Sequence, residues 1–211
     1  MEQDGKFATK RLLIVFVKNI KQGKVKTRLA ASIGDNEAIK VYNKLIDVTE
    51  TATMKFNSER IIYYSEFVED NRWSDDSKQV QSGRDLGERM KNAFTDGFTE
   101  GYKKVVLIGS DLPDISSEVI EEAFAKLEKN EVVFGPADDG GYYLIGLTKI
   151  HPYIFDNKPW SKSNLLEFTL DELNNKKVGY ALLNSYNDVD TFEDLKASTL
   201  YTEYTKTKTH K

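Results

Sequence analysis

Apolar residues fall into short unbroken runs, separated by longer stretches in which they recur every three or four positions. Leu12-Leu13-Ile14-Val15-Phe16-Val17 is the first run, the pattern of a strand buried on both faces. Ile61-Ile62-Tyr63-Tyr64, Val105-Val106-Leu107-Ile108-Gly109 and Val132-Val133-Phe134 repeat it. Tyr142 to Leu147 reads as a fifth strand and Tyr180 to Leu183 as a late one. Helical periods lie between them. Ile39, Tyr42, Leu45, Ile46 and Thr49 predict a helix over 35–54, with Asp35 as its N-cap. Gly83 to Gly87 opens a second helix carrying Met90, Ala93, Phe94 and Phe98. Ser116 or Ser117 caps a third through Leu127, and Asn164 to Leu173 forms a fourth. Thr191, with Asp194 three residues on, resembles a capping box that opens a final helix. Strands alternating with helices predict a three-layer α/β/α sandwich around a mostly parallel sheet. Ligands of such sheets sit in a crevice at the carboxyl ends of the strands, so the residues that follow each strand carry the most information.

The 211 residues suit one domain, which the pattern places at 10–200. Residues 1–9 are polar and 201–211 are rich in Thr and Lys without an apolar period, so both are expected to be flexible. The chain has no cysteine, which excludes disulfides, thiolate zinc sites and a cysteine nucleophile. Its having only two histidines, His151 and the near-terminal His210, argues against a histidine metal cluster or a Ser-His-Asp triad. A net charge of -4 gives no basic footprint for nucleic acid. No apolar stretch reaches the roughly 20 residues of a membrane span, and the polar start is no signal peptide. The expectation is a cytoplasmic protein, with its oligomeric state left open.

The first strand runs into a segment with five cations among residues 18–28: Lys18, Lys21, Lys24, Lys26 and Arg28. Gly23 in its middle lets the backbone turn or approach a ligand closely. Phosphates call for this mixture of donors and positive charge, and a solvated basic loop is the alternative. The spacing fits neither a Walker A loop nor a GxGxxG fingerprint. After the third buried strand comes Ser110-Asp111-Leu112-Pro113-Asp114. A carboxylate there suits a hard cation, Mg2+ or Mn2+, that bridges phosphate oxygens; a turn or helix support is the other role open to Asp114. After the fourth strand, Asp138 and Asp139 precede Gly140, Gly141 and Tyr142, as in a tight turn over a bound ligand whose glycines leave space for it. A plain Asp-Gly hairpin is the alternative. Asp188 and Asp190 precede the last helix, where capping explains Thr191 and Asp194 but does not require both of these acids. Trp160 stands in a loop after Pro159, able either to stack on a sugar or to pack in the core.

At these motifs the sequence resembles a bacterial family named as glycosyltransferases of arsenosugar-biosynthesis type, within the GT-A-type nucleotide-diphospho-sugar transferase superfamily. The likeness runs from Leu12 to Leu195 and rests on five segments. They are GKVKTRL at 23–29, QSGRDLGERM at 81–90, VVLIGSDLPDIS at 105–116, VFGPADDGGYYLIGL at 133–147 and DVDTFEDL at 188–195. The resemblance implies a GT-A sheet that binds a nucleotide through its N-terminal half. It makes Asp111 the metal-facing acid and Asp188 a second, with Asp190 beside it. Lys24, Lys26 and Arg28 would contact the phosphates, Lys18 and Gly23 would belong to the same nucleotide site, and Gln81 and Gly83 would lie near the base. Two positions depart from the family pattern. Ile20-Lys21-Gln22 replaces a proline-containing stretch before Gly23, and Lys162 stands where the family has Thr.

The leading expectation is a metal-dependent glycosyltransferase that uses a nucleotide-diphosphate sugar and an unknown acceptor. Asp139 would act as general base or orient the acceptor, with Asp138, Gly140, Gly141, Tyr142 and Trp160 around the substrate. A nucleotidyltransferase releasing pyrophosphate is the alternative, because FVKNIKQGKVKTRLA also resembles the N-terminal loop of enzymes that guanylylate phospholactate. A nucleotide-binding protein without turnover is a third, and the presence of Asp111, Asp139 and Asp188 together argues against it.

Overall fold

The computed structural model describes residues 10–160 and 162–209, so the expectation for residues 1–9 lies outside the described residues. Seven strands form one sheet: β1 (Arg11–Val17), β2 (Glu59–Tyr64), β3 (Ser77–Val80), β4 (Lys104–Ile108), β5 (Val132–Pro136), β6 (Tyr142–Leu147) and β7 (Tyr180–Leu182). Their order is β3-β2-β1-β4-β6-β5-β7. Only β6 runs against its neighbours, β4 and β5; the other pairs are parallel. The helices are α1 (Thr27–Ile33), α2 (Asp35–Met54), α3 (Leu86–Thr99), α4 (Ser117–Lys126), α5 (Leu165–Asn175), α6 (Phe192–Ala197) and α7 (Tyr201–Thr209).

The strand side chains alternate between two cores. Leu13, Val15 and Val17 point to one face, under α1, α2, α4 and α6. Leu12, Ile14 and Phe16 point to the other, under α3 and α5. Both faces of the central strands are therefore covered, as their unbroken apolar runs require. The three-layer α/β/α expectation holds. Among the described residues no helix is long and apolar enough to cross a membrane.

Local signals set several boundaries. Ser116 caps α4, its hydroxyl accepting from the Val119 N–H at 3.4 Å. Thr191 and Asp194 form the reciprocal capping box of α6, with the Thr191 N–H donating to Asp194 at 2.6 Å. Asp85 caps α3, so that helix starts later than Gly83. The N-cap of α2 is Gly34, at a positive φ of 85, and not Asp35. Asp35 instead occupies the first turn with Glu37, where negative charge meets the positive end of the helix dipole.

Three elements differ from the expected pattern. β3 is an edge strand, paired only with β2 and without a buried residue, so it has no apolar run. α1 begins at the end of the basic segment, with Thr27 and Arg28 in its first turn. Residues 201–209, expected as a flexible tail, form α7, whose Tyr201 and Tyr204 rest on the first core.

Candidate active site

β1 continues outward to β2 and β3, while β4 leads the other way to β6, β5 and β7. The chain therefore leaves the carboxyl ends of β1 and β4 in opposite directions, and a cleft of about 940 Å³ opens there. Tyr42 of α2 fastens its floor. The Lys18 N–H donates to the Tyr42 hydroxyl at 3.0 Å, and that hydroxyl shares a second 3.0 Å bond with Ser110. Burial, reinforced by the charge of Asp111, raises the Tyr42 pKa, so the group stays neutral.

Asp111 follows the end of β4, and its carbonyl accepts from the Val189 N–H at 3.3 Å. That bond brings the Asp188–Asp190 segment alongside from the far half of the sheet. Lys26 Nζ sits 3.0 Å from Asp111 Oδ1 and 3.0 Å from Asp190 Oδ1, with its side chain only 5% exposed. Arg28 pairs with the other oxygen of Asp190. The basic segment and the acidic positions meet each other. Burial works against the Lys26 charge, but Asp111 and then Asp190 outweigh it and hold its pKa above the ordinary lysine value. Asp188 behaves oppositely. Burial, then the neighbouring charge of Asp190, pushes its pKa up to about 6, with Lys26 offsetting only part of this.

Asp138–Gly141 is the turn joining β5 to β6: the Gly140 N–H donates to the Ala137 carbonyl at 3.0 Å, and the Ala137 N–H to the Gly141 carbonyl at 3.1 Å. Asp139 is exposed in the cleft and accepts from the Gly141 N–H at 2.8 Å. Asp138 does not line the cleft and accepts from Ser185 at 2.6 Å. The expectation that the glycines leave space for a ligand is corrected at Gly140. At Gly140 (φ 88) a Cβ would lie 1.7 Å from the Ser163 carbonyl oxygen, so the missing side chain lets the turn press on a neighbouring loop. At Gly141 a Cβ would lie 3.1 Å from the Asp139 carboxylate, although the residue does line the cleft. Trp160 packs on α3, where a Cβ on Gly87 would come within 2.5 Å of the indole, and it also lines the cleft.

Lys18, Gln81 and Tyr142 also line the cleft. Gln81 spends a side-chain N–H on the Tyr63 carbonyl at 3.0 Å. The Tyr142 hydroxyl is buried without a partner, its ring against Phe134. Gly23 and Lys24 belong to an exposed turn outside the cleft wall. Gly83 is also off the wall; a Cβ there would lie 2.7 Å from the Arg89 backbone nitrogen, so it serves the entry to α3. Sequence reasoning did not single out Arg89 as a wall residue or Tyr42 as a tie. Arg89 carried a signal, a cation in the first turn of a helix that opens at the sheet edge. Tyr42 carried none beyond its helical spacing.

Among the described residues no three acidic or histidine side chains gather into a ready-made metal cage. The donor set is nevertheless hard oxygen, and the ammonium of Lys26 stands where a cation bridging Asp111 and Asp190 would sit. These residues fit an ion that takes one or two carboxylates and completes its shell with water and phosphate oxygens, as Mg2+ does.

Strand order, the single reversed strand and the cleft at the switch point make this a fold of the nucleotide-diphospho-sugar transferase type. A crystal structure from Desulfovibrio desulfuricans G20, provisionally described as a nucleotide-diphospho-sugar transferase, superposes with a TM-score of 0.83. It is 30% identical, over 94% of this chain and 95% of that one. Two more distant structures share the fold. The inositol-1-phosphate CTP transferase from T. maritima has TM-score 0.57 and 16% identity, over 94% and 96% of the two chains. The 4-diphosphocytidyl-2C-methyl-D-erythritol synthase from Anaerococcus prevotii DSM 20548 has TM-score 0.54 and 13% identity, over 92% and 99%. Residues 50–162 match the family described as "Uncharacterized protein conserved in bacteria (DUF2064)", and the chain belongs to that family. No curated protein matches it.

Proposed function

We propose that the protein is a cytoplasmic transferase that takes a nucleotide-diphosphate sugar, passes the sugar to an acceptor and releases nucleoside diphosphate. One observation supports this most: Lys26 and Arg28 meet Asp111 and Asp190 at the switch-point cleft, where a diphosphate would need charge of both kinds. The 30% identity to a protein described as a nucleotide-diphospho-sugar transferase supports the substrate class. The resemblance to glycosyltransferases of arsenosugar-biosynthesis type supports glycosyl transfer within it.

Negative charge grows on the diphosphate as the sugar leaves, and fixed positive groups stabilise that growth. Lys26 and Arg28 would supply it from one side and Lys18 from the floor. Asp111 with Asp188 or Asp190 would hold a Mg2+ or Mn2+, which would supply further positive charge for the leaving diphosphate. Asp139 is the proposed base toward an acceptor hydroxyl; its exposure in the cleft supports the role. The indole of Trp160 would offer a face to the sugar ring.

Thermal-shift measurements with manganese should show nucleotide-diphosphate sugars stabilising the protein more than triphosphates do. A ligand at 100 times its Kd adds about 2.7 kcal/mol, which such a measurement detects. Slow hydrolysis should release nucleoside diphosphate. Pyrophosphate release from a triphosphate, with no response to any nucleotide sugar, would assign nucleotidyl transfer instead.

A further inference from the structure

Lys26 is held by three features at once. Its ammonium lies 3.0 Å from one oxygen of Asp111 and 3.0 Å from one oxygen of Asp190. Its side chain is 5% exposed, whereas those of the two acids are 47% and 32% exposed. Its backbone is left-handed (φ 48, ψ 46) at the N-cap of α1, a conformation unfavourable for a side chain with a Cβ and without any side-chain cap to reward it. A strained backbone persists where its surroundings over-determine it, and here the ion pairs do so. The lysine thus sits on the protein side of the two carboxylates, which turn their remaining surface to the cleft.

We propose that Lys26 is a tethered occupant of the cation position between Asp111 and Asp190, and that a divalent ion gains these carboxylates only as an arriving phosphate draws Lys26 off them. This rests on the reading of the cleft as a diphosphate site. The reason is electrostatic. An ammonium and a divalent ion cannot share two carboxylate oxygens at about 3 Å without strong mutual repulsion. A phosphate changes this by offering the ammonium another anion. Each ligand then favours the state in which Lys26 has left the acids, so metal and phosphate are positively coupled, and the coupling is reciprocal. Arg28 pairs with Asp190 alone and is 69% exposed, so it leaves the bridging position free.

The test uses the full chain with Mn2+ and inorganic pyrophosphate, which avoids any choice of base or sugar. Lys26→Met should bind Mn2+ alone about tenfold or more tightly than the unmodified protein, and gain less from pyrophosphate. Arg28→Met and Lys24→Met remove the same charge and should change Mn2+ affinity less than about threefold. Equal tightening in all three would reduce the effect to general charge and overturn the proposal. In the unmodified protein, the nitrogen-15 signal of the Lys26 ammonium should stay in place with Mg2+ alone and move with Mg2+ and pyrophosphate together. Mg2+ saturating the acids while that signal stays unchanged would also overturn it, whether or not Lys26→Met folds. Neither measurement depends on nucleotide sugars, so failure of the transfer reaction and failure of this exchange are read separately.

Discussion

At the β4 end of the cleft, Lys26 and Arg28 are answered by Asp111 and Asp190. Lys18 on the floor and Arg89 and Lys162 elsewhere on the wall line the cleft, and among the described residues none of the three forms an ion pair. Among the described residues the Arg89 guanidinium donates only to the Gly83 carbonyl, at 3.2 Å. In the first group Lys26 has lost water and depends on its partners; in the second Lys18 and Lys162 are exposed and Arg89 partly so, and they contribute little to the fold. Paired charge therefore stabilises the folded chain and is exchanged on binding, whereas unpaired charge attracts an anion from a distance.

The largest expected effect falls on the support of the unpaired wall. Gly140→Ala would drive a Cβ into the Ser163 backbone next to Lys162, at a position that already has positive φ. We expect a loss of at least about 3 kcal/mol in urea unfolding. A loss below about 1 kcal/mol would mean that the loop gives way freely and that the wall is not built on the β5–β6 turn.

Stranding the paired charge comes next. Asp111→Ala with Asp190→Ala leaves Lys26 buried and unpartnered, which should remove about 2–3 kcal/mol, the lower part of the range because both acids are partly exposed. Single alanine substitutions of Lys18, Arg89 or Lys162 should stay within about 0.5 kcal/mol. Equal losses at the two ends would erase the contrast.

Asp188 sharpens it through pH. The folded chain keeps the Asp188 proton up to about pH 6, whereas the ordinary value is 3.8. Between these values the folded state holds the extra proton, so stability falls as pH rises from about 4 to about 6. Lys26 does not tilt this window: its pKa is raised above 10.5, so its contribution is complete below that and is lost only in alkali. Asp188→Asn should therefore be more stable than the unmodified protein at pH 7, by about 1–2 kcal/mol, with the gap closing near pH 4. Unfolding curves across that range check it, and a gap independent of pH would assign the gain to packing.

The smallest effect is kinetic. Alanine at Lys18, Arg89 or Lys162 should slow association of pyrophosphate by about twofold to fivefold at low salt, with the difference vanishing at high salt. Stopped-flow measurements at two ionic strengths would show it.

β1, β4 and β5 were legible in the sequence because burial on both faces leaves their runs no polar position. β3 was not, because Ser77–Val80 has only one neighbour and no buried residue. α7 was hidden because two tyrosines hold it in place of an apolar stripe. In the site, Asp111 and the basic segment stood out because they follow buried strands. Their mutual pairing did not, since Lys26 and Asp190 are 164 positions apart and only the folded sheet joins them. Gly140 and Gly141 show the same limit. Sequence marks a place without a side chain, and the tertiary structure decides whether ligand, backbone or a neighbouring carboxylate uses the room.

The Tyr42 hydroxyl carries one more consequence. It grips Lys18 at the end of β1 and Ser110 at the end of β4, the two strands whose ends the chain leaves in opposite directions. One hydroxyl thus ties the two strand ends to each other, and the floor of the cleft is built across that tie.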